Sequence, residues 1–144
     1  MKRTIAIALA VIAAVLLTLS GCSDFSFNPI GRWEVSEMRL YEDGSIKETK
    51  DTKQLGMSSG VALVFKKSGT GYIDSGSGNP LDFTYNYNDS EVIISRSVND
   101  SPPIETKYRV IDDGTSLSVT LSSYDDINDK GKKCSYSEEM IFKR

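Results

Sequence analysis

The chain has 144 residues, a formal net charge of −3, two cysteines and no histidine. The absence of imidazole excludes Ser-His-Asp triads, histidine general bases and histidine-ligated zinc sites. An acidic chain without a clustered basic face is also a poor match for nucleic acid, because phosphate contacts supply most non-specific affinity.

The N-terminus has the order of parts of a secretory signal. Lys2 and Arg3 precede an uncharged, almost purely apolar run over residues 5–17, and small residues then lead into Cys22. The apolar run is shorter than the ~20 residues that span a membrane. The Leu19–Cys22 segment resembles the lipobox of bacterial lipoproteins, which implies cleavage before the cysteine and acylation of its thiol. An uncleaved transmembrane helix with an incidental cysteine is the alternative.

The lipobox resemblance implies a signal peptide over residues 1–21, a lipidated tether over 22–30 and a folded domain over 31–144. It also implies a location on the outer side of the bacterial cell membrane or in the outer membrane. Each buried methylene contributes ~0.8 kcal/mol, so two or three acyl chains on Cys22 make a durable anchor. Cys134 then has no disulfide partner. We expect it to be a small buried hydrophobe, with a reactive thiol as the alternative.

Beyond the tether, apolar residues recur with a period of two between turn residues, which predicts a series of short β-strands. The predicted strands cover residues 31–35, 61–65, 71–74, 81–87, 91–95, 104–110, 117–121 and 134–143. A bend is expected near Ser36 and Glu37, where the apolar phase changes. Residues 46–60 are polar and predict a long loop with a helical turn at 51–55, and residues 125–133 predict a charged loop.

Short strands joined by hairpin-length loops leave edges that must be closed or covered. An all-β, antiparallel up-and-down meander of about eight strands closes into a barrel or folds as a two-sheet sandwich. The consecutive tight hairpins favour the barrel. No stretch alternates strands with amphipathic helices, which disfavours an α/β fold.

The start of the first predicted strand, Gly31-x-Trp33, resembles the G-x-W signature of lipocalins. The hairpin over residues 63–71 and the basic residues Lys143 and Arg144 are similar to the layout of lipocalin-like domains in bacterial lipoproteins. The resemblance implies a barrel plugged at its closed end by Trp33, with Arg144 or Lys143 on its ring. The Asp-Tyr motif of a late lipocalin loop is not found. Trp33 as a plain core aromatic is the alternative.

Aromatic residues on the apolar faces of several strands are the predicted lining of a ligand cavity. Their rings supply apolar area, and tyrosine hydroxyls can orient a polar group of the ligand. The predicted lining consists of Phe65, Phe83, Tyr85, Tyr108 and Tyr136. The alternative is a small barrel filled by its own side chains.

The acidic residues do not predict a metal site or a catalytic pair. Segment 125–129 lacks the alternating ligands and the distal glutamate of a calcium loop, and a solvated hairpin tip is expected. Glu138 and Glu139 are adjacent on a strand and point to opposite faces, so one faces inward unless a bulge turns both outward. We therefore expect no enzyme activity, no cofactor and no metal.

The sequence thus predicts an extracytoplasmic, membrane-anchored lipoprotein whose barrel binds a small apolar or amphipathic ligand. The alternative is a structural or protein-interaction module of the envelope, with a filled barrel and with function on the loops at 42–60 and 124–133. An enzyme inhibitor belongs to this alternative, because Ser68–Tyr72 resembles the Ser-Gly-x-x-Tyr segment of membrane-bound lysozyme inhibitors.

Overall fold

Nine antiparallel β-strands form the framework of the described chain. The structure is a computed structural model that describes residues 26–56 and 60–144, so the predictions made for residues 1–25 lie outside the described residues. The strands are β1 (Gly31–Glu42), β2 (Ser45–Asp51), β3 (Ala62–Phe65), β4 (Thr70–Asp74), β5 (Leu81–Tyr87), β6 (Glu91–Arg96), β7 (Ile104–Ile111), β8 (Ser116–Ile127) and β9 (Lys133–Lys143). A 3₁₀ turn at Asp112–Gly114 joins β7 to β8. In these ranges no helix has the length and apolar character needed to cross a bilayer.

Eight of these strands close into a barrel. β1 and β3 to β9 pair in chain order, and β9 pairs again with β1, where Val35 lies opposite Phe142. The predicted all-β antiparallel meander that closes into a barrel is therefore confirmed, and the sandwich alternative is wrong. The architecture is compatible with a lipocalin-like fold. β2 is an additional strand on the edge of β1.

Bulges bend two long strands and divide the sheet into the barrel and an extension. β1 shifts register between Val35 and Glu37, where the sequence predicts a bend, and β8 shifts between Thr120 and Ser122. β1 pairs with β3 before its bulge and with β2 after it, and β8 pairs with β7 only up to Ser118. The strand segments beyond these points form a four-stranded sheet, here called the wing, that comprises residues 37–51, 120–127 and 133–140.

Two of the predicted loops contain strand residues of the wing. Apart from Ser45, β2 lies within the predicted loop over residues 46–60, so that prediction is wrong for the first part of the segment. All seven residues of β2 are exposed, and backbone pairing with β1 holds the strand, so it has no apolar alternation from which to predict it. A turn follows in which the Leu55 amide donates to the Asp51 carbonyl, where a helical turn is predicted. β8 continues to Ile127, which shortens the predicted charged loop to residues 128–132.

The core lies inside the barrel and is built from the alternating apolar residues of its strands. Its buried members are Phe27, Trp33, Val35, Leu63, Phe65, Phe83, Val92, Ile94, Tyr108, Leu117 and Phe142. Burying a large apolar side chain contributes about 1.5–3 kcal/mol. The strands and core residues of the described ranges all lie within residues 27–144, so we expect this part of the chain to fold as a barrel by itself.

Candidate functional site

Two neighbouring strands of the barrel separate, and a groove lies at that point. β5 and β6 pair from Tyr87/Val92 to Thr84/Ser95. Beyond the Thr84/Ser95 pair, β5 pairs only with β4, and β6 pairs only with β7. The groove has a volume of about 560 Å³. Its lining consists of Lys66, Thr70, Gly71, Asp82, Phe83, Thr84, Ser95, Arg96, Ser97 and Pro103. Hydroxyls, charged groups and an aromatic ring therefore meet in one place.

Gly71 and Phe83 connect the groove to the core. The two residues are opposite each other on β4 and β5. A Cβ at position 71 would lie 2.2 Å from the Val64 carbonyl oxygen and 2.5 Å from the Phe83 ring. Glycine alone therefore lets the ring pack this closely across β4. Phe83 is only 4% exposed and belongs both to the core and to the groove lining.

Arg96 brings a positive charge to the apolar face of β6. It follows Val92 and Ile94 at alternate positions, and both of these residues are buried. In the part of the chain that the structure describes, its buried Nε has no hydrogen-bond partner and its guanidinium has no ion pair. An unsatisfied buried polar group costs about 1–3 kcal/mol, and such an exception calls for an explanation.

Tyr108 lies on the neighbouring strand β7, opposite Val92. Burial raises the pKa of the Tyr108 phenol, and the Arg96 cation offsets part of that effect. The phenol stays protonated at neutral pH and can donate a hydrogen bond. The other charged groups of the groove are Asp82 and Lys66, whose Nζ lies 5.3 Å from the centroid of the Tyr72 ring.

The structure brings together three of the five aromatic residues predicted to line a cavity. Ring centroids are 4.9 Å apart for Phe65 and Tyr85 and 5.4 Å apart for Phe65 and Phe83. Tyr108 packs separately against Phe142, with centroids 5.7 Å apart. The rings of Phe65, Phe83, Tyr85 and Tyr108 are therefore packed in or against the core. Of these four residues, Phe83 alone is in the lining of the 560 Å³ groove. Ligand contact by the others stays a prediction.

Tyr136, the fifth predicted residue, lies in the wing, where its ring stacks on Tyr124 with centroids 5.4 Å apart. Cys134, two residues earlier on β9, is buried. Burial, followed by the carboxylates of Glu42 and Asp43, raises the pKa of the Cys134 thiol. The thiol therefore stays protonated at neutral pH, and a protonated thiol is a poor nucleophile.

Glu138 and Glu139 bind separate partners on β9. Glu139 is 5% exposed and accepts hydrogen bonds from Arg109 Nη2 and Ser118 Oγ, each at 2.5 Å. Glu138 accepts a hydrogen bond from Ser122 Oγ at 2.9 Å. The Glu139 carboxylate therefore links β9 to β7 and β8, and the Glu138 carboxylate links β9 to β8.

The acidic segment 125–129 comprises the end of β8 and the start of the β8–β9 turn. Asn128 Oδ1 accepts hydrogen bonds from the amides of Lys130 and Lys132, each at 3.0 Å. Among the described residues, no three side chains of the histidine, cysteine, aspartate or glutamate type come together as metal ligands.

One end of the barrel, here called the closed end, is filled by residues that precede and begin β1, among them Phe27 and Trp33. Gly31 has a φ of 129°, a conformation that favours glycine. Trp33 is fully buried, and its Nε1 donates to the Pro29 carbonyl at 2.7 Å. The Arg144 guanidinium lies 4.5 Å from the centroid of the Trp33 ring. Phe27 packs on the same ring with centroids 5.9 Å apart, so the segment before β1 is part of the folded barrel.

Comparisons with protein-family models, curated proteins and solved structures found no match for this chain. The function is therefore inferred from the groove, from the closed end and from the N-terminal sequence pattern.

Proposed function

We propose that this protein is a lipid-anchored binding protein of the bacterial envelope, whose barrel takes a small amphipathic ligand in the groove beside β5 and β6. The groove carries the proposal, because it combines about 560 Å³ of space with the buried Phe83 ring, several hydroxyls and Arg96, whose buried Nε has no hydrogen-bond partner among the described residues. Small-molecule sites have this combination of apolar surface and a few polar groups. The lipobox pattern that ends at Cys22 supports the anchor.

The segment that follows the proposed anchor supports an orientation of the barrel. Phe27 is 3% exposed, its amide donates to Asp89 Oδ1 at 3.0 Å, and Arg144 donates to the Asn28 carbonyl. The step from Cys22 to Phe27 is five residues, which span at most ~18 Å when fully extended. In the proposed arrangement, the closed end therefore lies next to the bilayer and the wing points away from it.

The anchor is tested with Cys22→Ser and with Cys134→Ser as the matched control. Loss of the Cys22 thiol removes the acylated atom, so the precursor stays uncleaved and incorporates no labelled fatty acid. Cys134→Ser is processed like the wild type. Normal cleavage and labelling of Cys22→Ser would refute the anchor.

The orientation is tested with a fluorescent label at one of two exposed lysines. Lys67→Cys marks the closed end and Lys130→Cys marks the β8–β9 turn, each in a Cys134→Ser background. In the acylated protein on vesicles that contain quencher headgroups, the label at position 67 is quenched more strongly. Equal quenching at both positions contradicts the arrangement.

Ligand binding is tested by native mass spectrometry of residues 26–144. Ser97 lines the groove, whereas Ser101 lies in the same exposed loop outside the lining. Ser97→Trp fills the groove, so a co-purifying small molecule is lost from this variant and kept by the wild type and by Ser101→Trp. A wild-type barrel that carries no ligand, or a ligand kept by Ser97→Trp, counts against the proposal.

An interaction module is the second candidate, because the two polar segments predicted to carry such a function, residues 42–60 and 124–133, both begin in the wing and are in contact with each other. Asn128 Nδ2 donates to Glu42 Oε1 at 3.0 Å and links them. Among the described strands β2 pairs only with β1, so its other edge can pair with an extended partner segment. A photo-crosslinker at Thr49 on β2 then captures a defined partner in cells, and one at Lys107 on the barrel does not. Capture at neither position excludes this candidate.

A further inference from the structure

Among the described residues, Arg96 differs from the other arginines of strands β1 to β9 in having no ion-pair partner. Arg32, Arg39 and Arg109 each pair with a carboxylate, at 2.8, 2.6 and 2.5 Å respectively. The Nε of Arg96 is buried without a hydrogen-bond partner, although Asp82 lines the same groove. The fold thus leaves this Nε unsatisfied among the described residues, on the face of β6 that carries the buried Val92 and Ile94.

The surroundings of Arg96 favour a negatively charged ligand group. Lys66 and Arg96 are the cations of the groove lining and Asp82 is its carboxylate. The net charge of the lining is therefore positive, although the net charge of the chain is −3. Serine and threonine hydroxyls line the same groove. A guanidinium donates two parallel hydrogen bonds to a carboxylate or a phosphate, which makes it the preferred partner for such groups.

We propose that the groove selects small amphiphiles that carry a carboxylate or phosphate group, and that this group binds to Arg96 while the apolar part lies on Phe83. The inference rests on the proposed function of the groove and names the ligand class. Phe83 is the aromatic ring of the groove lining, and Gly71, opposite it on β4, belongs to the same lining.

The test is calorimetric titration of residues 26–144 with octanoate, octyl phosphate, octanol and inorganic phosphate. The two anionic amphiphiles bind at least tenfold more tightly than octanol to the wild type. Arg96→Met removes this preference. The matched control is Lys133→Met, which makes the same change of charge at a residue whose side chain is 78% exposed in the wing, and it keeps the preference.

Urea unfolding of Arg96→Met separates loss of binding from loss of fold. Because the replaced group has no partner at its Nε, the variant is expected to be at least as stable as the wild type. A clear loss of stability together with an unchanged ligand preference assigns Arg96 to the structure of the barrel and overturns the inference.

The titrations distinguish failure of the inference from failure of the proposed function. Equal binding of octanoate, octyl phosphate and octanol overturns the charge selectivity and leaves the amphiphile site in place. No binding of any amphiphile overturns both. If inorganic phosphate binds as tightly as octyl phosphate and Arg96→Met abolishes this binding, the anion contact is supported and the amphiphile function is refuted.

Discussion

Replacing Gly71 by alanine is expected to destabilise the barrel by about 2 kcal/mol. The new methyl group would lie 2.2 Å from the Val64 carbonyl oxygen and 2.5 Å from the Phe83 ring, distances that real Cβ atoms do not show. Overpacking costs about 1–3 kcal/mol, and the clash with the β3 backbone places this site near the upper value. The smaller entropy of the unfolded alanine chain offsets about 0.4–1 kcal/mol.

The assay is urea unfolding of residues 26–144, followed by fluorescence of Trp33, the single tryptophan of the chain. Gly60→Ala is the matched control, because a Cβ at position 60 meets no atom within 4 Å. This control is expected to be neutral or stabilised by up to ~1 kcal/mol. Equal stability of Gly71→Ala and the wild type, or equal losses in the two variants, would refute the steric argument.

Three further predictions concern the closed end and the wing. Arg144→Ala removes the cation over the Trp33 ring and is expected to lower the free energy of unfolding by about 1 kcal/mol, and Arg144→Lys is expected to be intermediate. Equal urea midpoints for the wild type and both variants would contradict this. The Cys134 thiol is buried and its pKa is raised, so it is expected to react slowly with a thiol reagent in the folded protein and fast in urea. Fast labelling of the folded protein would contradict the burial of this thiol. The Ser135 amide donates to Asp43 and holds the pKa of that carboxyl below its ordinary value of 3.8. Because the folded pKa is the lower one, this stabilisation is complete above pH 3.8 and is lost as the pH falls through the folded value. The wild type therefore loses stability in acid more steeply than Asp43→Asn, and parallel stability curves would contradict the assignment.

The fold was predictable from the sequence wherever one face of a strand is buried. The alternation over residues 81–87 predicts β5 and places Phe83 and Tyr85 on one face, where the structure packs them against Phe65. The bend of β1 was predictable from the change of apolar phase. β2 was not predictable, because its two faces are both exposed and its pairing depends on the backbone of β1.

The groove was less accessible to prediction, because it depends on where one ladder ends. The β5–β6 ladder stops at Thr84/Ser95, a tertiary property that periodicity does not contain. One signal was available: Arg96 stands two residues after Ile94, on the same face as the apolar positions of β6. The Arg109–Glu139 pair had no such signal, since these residues meet only through the register of β8 between their strands.

The seam between β1 and β9 has a consequence for the order of folding. Val35 lies opposite Phe142, a separation of 142 − 35 = 107 residues, whereas strands β3 to β9 are joined to their neighbours by short turns. Pairings between distant residues form slowly, because a long loop must be closed before any contact is gained. Until β9 is in place, β1 and β8 both present open edges beside an uncovered aromatic core, and chains in that state are prone to associate with one another.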